Sequence, residues 1–149
     1  MKGEALRLVL DTNVMVAAFR SDRGSSRRLL IAALDGRFDL LVSVPLMIEY
    51  EAVLTQAEHL AVIGLTVREL NEVLDAVARV CIPVQLRFLW RPRLKDPADE
   101  MVLETAVNGG ADRLVTFNIR HLAAGAQDFG IRVMRPPAAW KEVQEHAKK

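Results

Sequence analysis

The chain has 149 residues, 51% of them hydrophobic, and a formal net charge of +1. This is the usual length of one domain with apolar residues enough for a core, so residues 1–149 are expected to form a single domain. One cysteine, Cys81, excludes a disulfide framework and a CxxC metal site and fits a reducing, cytoplasmic setting; no apolar run reaches membrane-spanning length, and MKGEALRL lacks the apolar region of a signal peptide.

Leu6 to Leu10 is an apolar run of strand character that stops at Asp11, and Val14 to Phe19 follows at helical spacing. A carboxylate thus stands at the end of a buried strand, where open α/β sheets bind ligands. Asp11 equally suits an Asx turn that caps the next helix, and this stretch alone does not choose. Ser21 to Gly24 is a loop, and Ser25 or Ser26 caps a helix with Leu29, Leu30, Ala33 and Leu34 that Gly36 ends. A second strand, Phe38 to Ser43, leads to Pro45, a favoured first helical residue, and to a stripe of Leu46, Tyr50, Val53, Leu54 and Ala57.

Thr66-Val67-Arg68-Glu69 forms a capping box, and Leu70, Val73, Leu74 and Val77 continue that helix at helical spacing. A third strand, Val80 to Val84, opens into the basic loop Gln85 to Lys95. Asp96-Pro97-Ala98-Asp99-Glu100 then supplies a cap, a proline at the first helical position and acids in the first turn of a helix that runs to Gly109-Gly110. Arg113 to Thr116 is a fourth strand and Ile131 to Met134 a fifth, joined through a short segment at Ile119 to Ala124; Pro136-Pro137 starts a closing helix. Strands alternating with helices specify an α/β fold with a mainly parallel sheet.

At 100° per residue, Asp99 falls in the middle of the stripe made by Val102, Leu103, Ala106 and Val107, so it points inward. A capping role with Asp96 is the plain alternative, but an inward carboxylate needs a cation or several donors to stay ionised. Glu49 and Glu51 lie equally far round from the stripe of their helix, and the wheel does not separate them. Thr116 and Asn118 bring polar groups to the end of the fourth strand, as Asp11 does at the first; Asn118 also suits a helix cap. His59, His121 and His146 have no metal-ligand spacing, although His121 lies close enough to Asn118 to contact a phosphate.

Acids without histidine or cysteine spacing suit a hard cation, Mg²⁺ or Mn²⁺, held by few carboxylates and several waters. Such a site serves metal-dependent phosphodiester chemistry. Arginine clusters at Arg20, Arg23, Arg27 and Arg28, and at Arg87, Arg91, Arg93 and Lys95, offer planar forks for phosphate, though clustered arginines are more often a solvated face. Rival chemistries on similar sheets fit worse. Asn13 occupies the place of the second aspartate of a haloacid-dehalogenase-type phosphatase, the acidic pair and late lysine of a receiver domain are missing, and no GxGxxG follows a strand.

The segments LVLDTNVMVAAF, SVPLMIEYEAVL and KDPADEMVLETAVNGGADRLVTFNIRHL resemble the PIN-domain family, of the kind found in ribonuclease toxins of toxin–antitoxin pairs. The resemblance implies a three-layer α/β/α fold whose mainly parallel sheet has four to five strands in the order 3-2-1-4-5. It implies that Asp11, Glu49 and Asp99 are catalytic acids and ligands of a Mg²⁺ or Mn²⁺ ion, Glu49 being preferred to Glu51. The fourth acidic position of many members falls at Asn118, which the resemblance places in the catalytic set, and the loss of that charge weakens a second metal site. Thr12 and Thr116 are the expected supports, as partners of metal-bound water, and Arg20 and Arg93 the expected phosphate contacts. The implied activity is metal-dependent endoribonuclease cleavage of single-stranded RNA, by a cytoplasmic homodimer neutralised by a cognate antitoxin. The alternatives are a housekeeping RNA-processing nuclease without antitoxin, or a non-catalytic RNA-binding or scaffold domain.

Overall fold

A computed structural model describes residues 5–87 and 97–147. The elements are β1 (Arg7–Leu10), α1 (Thr12–Arg20), α2 (Ser25–Leu34), β2 (Asp39–Ser43), α3 (Val44–Leu54), α4 (Ala57–Ile63), α5 (Val67–Val80), β3 (Ile82–Val84), α6 (Pro97–Gly109), β4 (Arg113–Val115), α7 (Ile119–Gln127), β5 (Arg132–Met134) and α8 (Pro136–Ala147).

The strands form one sheet in the order β3-β2-β1-β4-β5, and every neighbouring pair is parallel. Leu8 lies opposite Leu40 on one side and Arg113 on the other, which fixes the register of the central strand. Parallel strands require crossover connections, and the right-handed rule sends leftward and rightward crossovers to opposite faces of the sheet. In agreement, α2 packs against α1, α5 and α8, whereas α6 packs against α7 and against the strands. Covered on both faces, β1 buries Leu8, Val9 and Leu10 completely. The expected α/β/α sandwich and strand order are both present.

Several boundaries differ from the sequence reading for local reasons. The helix begun at Val44 ends at Leu54, because the Thr55 hydroxyl donates back to the Glu51 carbonyl at 2.8 Å and Gln56 turns extended. Ala57, expected on the buried stripe, instead starts the separate exposed helix α4, which Gly64 closes with φ +78°. Gly24 rather than Ser25 or Ser26 occupies the cap position of α2, without a side-chain bond, and Ser26 is buried in the helix. The Thr66–Glu69 capping box forms with both reciprocal bonds, at 3.0 and 3.1 Å. Val80 belongs to α5 and not to β3.

The close of α6 shows how tightly that helix lies on the sheet. A Cβ at Gly109 would stand 2.9 Å from Val84 Cγ2 and 3.0 Å from Leu41 Cδ1, and Gly110 turns the chain with φ +64°. None of the described helices is long and apolar enough to cross a membrane.

Candidate functional site

In the strand order β3-β2-β1-β4-β5 the chain leaves β1 in one direction to build β2 and β3, and fills the other side with β4 and β5. The switch point therefore lies between β1 and β4, and a crevice opens there beyond the carboxyl ends of the strands. Asp11 is the first residue after β1, and Thr116 the first after β4. The sheet continues one step past the strand ends on both sides: the Asp11 N–H donates to the Val115 carbonyl at 2.9 Å and the Thr116 N–H to the Met134 carbonyl at 3.0 Å.

Asp11 is buried, and its carboxylate is held from two directions. The Thr12 N–H donates to Oδ1 at 2.7 Å, and the Thr116 hydroxyl donates to Oδ2 at 2.7 Å. The cap and the functional position are thus the same residue: Asp11 starts α1 and also presents its carboxylate at the switch point. Thr116 is fully buried, and its oxygen accepts the Asn118 N–H at 2.9 Å while donating to Asp11. One hydroxyl thereby ties the Asp11 carboxylate to the turn entering α7. Its proton is directed at Asp11, so this hydroxyl orients the acid. Thr12 contributes its buried backbone N–H.

Asp99 faces inward from the first turn of α6 and is buried, as the helical wheel predicts, among Val102, Leu103 and Ala106 of the same helix. Its Oδ2 stands 4.0 Å from His121 Nδ1, on the first turn of α7. The imidazole is largely solvent-exposed, so it sits at the rim with the carboxylate beneath it. The first turn of α7 thus bridges the acids, since Asn118 is tied to Asp11 through Thr116 and His121 faces Asp99. Asn118 is exposed at the cap position of α7 and makes no side-chain cap bond there.

Tyr50 on α3 is fully buried, and its phenol donates to the carbonyl of Leu10, the residue before Asp11, at 2.5 Å. This bond sets α3 against the end of β1. Burial foremost, then the charge of Asp11 and then Cys81, push the Tyr50 phenol well above its ordinary range, so it remains a donor. Nothing in the sequence distinguished Tyr50 from an ordinary core aromatic. The cue would have been a buried phenol needing a partner. Beside it, Glu49 is half-buried and Glu51 exposed, a difference the helical wheel did not resolve.

Of the two expected phosphate contacts, only Arg20 lies among the described residues. Arg20 ends α1 while Asp11 begins it, a separation of about 13 Å along the helix axis. Arg20 is exposed, with its guanidinium 3.4 Å from His59 Nδ1 on α4, and Arg27 of the same cluster donates to the Ala18 carbonyl. Arg93, Arg91, Lys95 and Asp96 lie outside the described residues. Among the described residues, no three His, Cys, Asp or Glu side chains gather closely enough to hold a metal ion by themselves. The donors of Asp11 and Asp99 are hard carboxylate oxygens, and Mg²⁺ binds commonly through one or two carboxylates while keeping several waters, so these residues fit such an ion chemically.

Fold and site together define an open-sheet α/β protein with a buried carboxylate, that of Asp11, at its topological switch point. A family model described as PIN domain matches residues 7–120, and the chain belongs to that family, whose activity is that of nucleases. Among solved structures, VapBC2 from Rickettsia felis bound to a DNA fragment from their promoter is similar, with a TM-score of 0.59 and 14% sequence identity over 87% of this chain and 98% of that chain. At that identity the similarity is one of fold. No curated protein matches the chain.

Proposed function

We propose that this PIN-domain chain is a metal-dependent endoribonuclease that hydrolyses phosphodiester bonds of single-stranded RNA, as the toxin of a toxin–antitoxin pair. The observation that carries the reading is the buried Asp11 carboxylate, fixed at the switch point by Thr12 and Thr116, with buried Asp99 joined to the same turn. Sequence resemblance to ribonuclease toxins supports the toxin role, a cognate antitoxin, a homodimer and a cytoplasmic setting, and the fold shared with VapBC2 is in keeping with it.

In this reading Asp11 and Asp99, with Glu49 as the second acid of the family pattern, hold a Mg²⁺ or Mn²⁺ ion. When bound, that ion supplies Lewis-acid activation of water and neutralises charge on the phosphoryl group. The chain's own part is positional. Thr116 and Thr12 hold Asp11 in one orientation, Tyr50 holds α3 and therefore Glu49 against the end of β1, and α6 brings Asp99 in on its first turn. Asn118 in place of a fourth acid lowers the negative charge of the crevice, which favours one ion over two.

The test incubates purified protein, freed of any copurifying antitoxin, with labelled single-stranded RNAs in Mn²⁺, Mg²⁺ or chelator. Cleavage is expected with either ion, and it should drop to the chelated level in Asp11→Asn and Asp99→Asn. Cleavage that ignores the metal, or substituted chains that cut like the parent, would sink the site assignment. A second reading, a non-catalytic RNA-binding domain, draws on the absence of a three-acid cluster among the described residues. It predicts RNA binding without cleavage under every condition.

A further inference from the structure

We infer that Phe117 is a stacking platform that receives a nucleobase of the single-stranded RNA beside the scissile phosphate. This rests on the reading of the crevice as an RNA-cleaving site. Among the described aromatic residues, Phe19, Phe38 and Tyr50 are buried in the core and Phe129 and Trp140 are half-buried against it. Trp140 is also covered by the Arg37 guanidinium, 5.5 Å from its ring centroid. Phe117 alone of these is exposed, at 38%. An aromatic ring is among the side chains that gain most from burial, and this one is left partly open to water one residue past Thr116, at the carboxyl end of β4.

Its backbone explains how the ring is presented. Thr116 before it is fully buried and bonded to Asp11, and the N–H of Asn118 after it is fixed on the same Thr116 hydroxyl. The Phe117 N–H itself points to Asn13 Oδ1 at 3.5 Å, on the first turn of α1. The ring therefore projects from a pinned turn one residue from the oriented carboxylate's hydroxyl partner, and little order remains to be lost when something stacks on it. Every nucleobase offers a π-face, so stacking there holds RNA without demanding a sequence. In a duplex the bases are already stacked on one another and unavailable, so the same ring favours single strands.

The full chain is titrated in chelator with a labelled single-stranded RNA, with the same RNA carrying an abasic position at the cleavage site, and with a duplex. Cleavage kinetics follow in Mn²⁺. Phe117→Ala and Phe117→Leu should weaken single-strand binding, and raise KM, by about 5- to 150-fold, while Phe117→Trp restores both. The abasic RNA should bind the parent as weakly as the intact RNA binds Phe117→Ala, and duplex binding should not change. Phe117→Leu and Phe117→Trp, which keep an apolar side chain over the covered part of the position, should melt near the parent. If Phe117→Leu binds as the parent does, or single-strand and duplex binding fall together, the stacking role is overturned although the nuclease reading stands. A parent that neither binds nor cuts RNA overturns both.

Discussion

Thr116 is the residue on which the candidate site turns. Its single hydroxyl donates to Asp11 Oδ2 and accepts from the Asn118 N–H, with no solvent contact to substitute for either partner. A valine has the same shape without the hydroxyl, so Thr116→Val should lower stability by about 1.5–3 kcal/mol, the range for a hydrogen bond to a charged group. Cleavage should fall by about 10–100-fold, as when a partner that orients a metal ligand is lost. Thr116→Ser, which keeps the hydroxyl, should stay near the parent in both denaturant unfolding and RNA cleavage. Equal losses in the serine variant would mean that packing of the methyl, and not orientation of Asp11, accounts for the position. Asp11 was legible from sequence as a strand-end acid, because strand character and its abrupt stop are local signals. That Thr116 would be committed to Asp11 was not legible, because the two are 105 residues apart and meet only through strand pairing.

Among the elements, α3 is positioned by one buried bond, from the Tyr50 phenol to the Leu10 carbonyl. Tyr50→Phe leaves that carbonyl without its partner and should cost about 1–3 kcal/mol. The pH dependence has a definite sign. Below about pH 10 the phenol is protonated in folded and unfolded chains alike, so its titration contributes nothing. Above that, the unfolded chain releases a proton that the folded chain keeps, since burial and the Asp11 charge raise the folded value. Stability therefore falls as pH rises, by at most about 1.4 kcal/mol per pH unit from this group. Urea unfolding followed from about pH 8 to 11 should show a steeper alkaline decline in the parent than in Tyr50→Phe; parallel curves would refute the assignment. The sequence placed Tyr50 on a buried stripe correctly, since periodicity reports burial. It extended that stripe to Ala57 wrongly, because no glycine or proline marks the break that Thr55 makes by bonding back to Glu51.

At the scale of the whole molecule, buried Asp11 stands at the end of β1 and buried Asp99 comes in on α6, and a cation bound between them would link the sheet to that helix layer. Ligands that bind only the folded chain stabilise it by mass action. Mn²⁺ at about 100 times its dissociation constant should add about 2.7 kcal/mol, or roughly 5–10 °C in melting temperature for a chain of this size. The shift should vanish in Asp11→Asn and persist in Glu51→Gln, which alters only the exposed acid of α3. Calorimetry reads this without any RNA, so it tests the cation site separately from the nuclease activity.

The sequence by itself determined the alternation of strands and helices apart from α4, the strand-end place of Asp11 and the inward face of Asp99. Each of these is written in a local period of two or 3.6 residues and in the capping residues at its ends. The order of the sheet came with resemblance to a family, not with periodicity. Only the tertiary structure decided that Thr116 orients Asp11, that Tyr50 anchors α3 to β1, that Arg20 stands a helix length from Asp11, and that Phe117 remains partly exposed just past Thr116. Those outcomes depend on which distant strands pair and in what register, and no window along the chain contains both partners of such a contact.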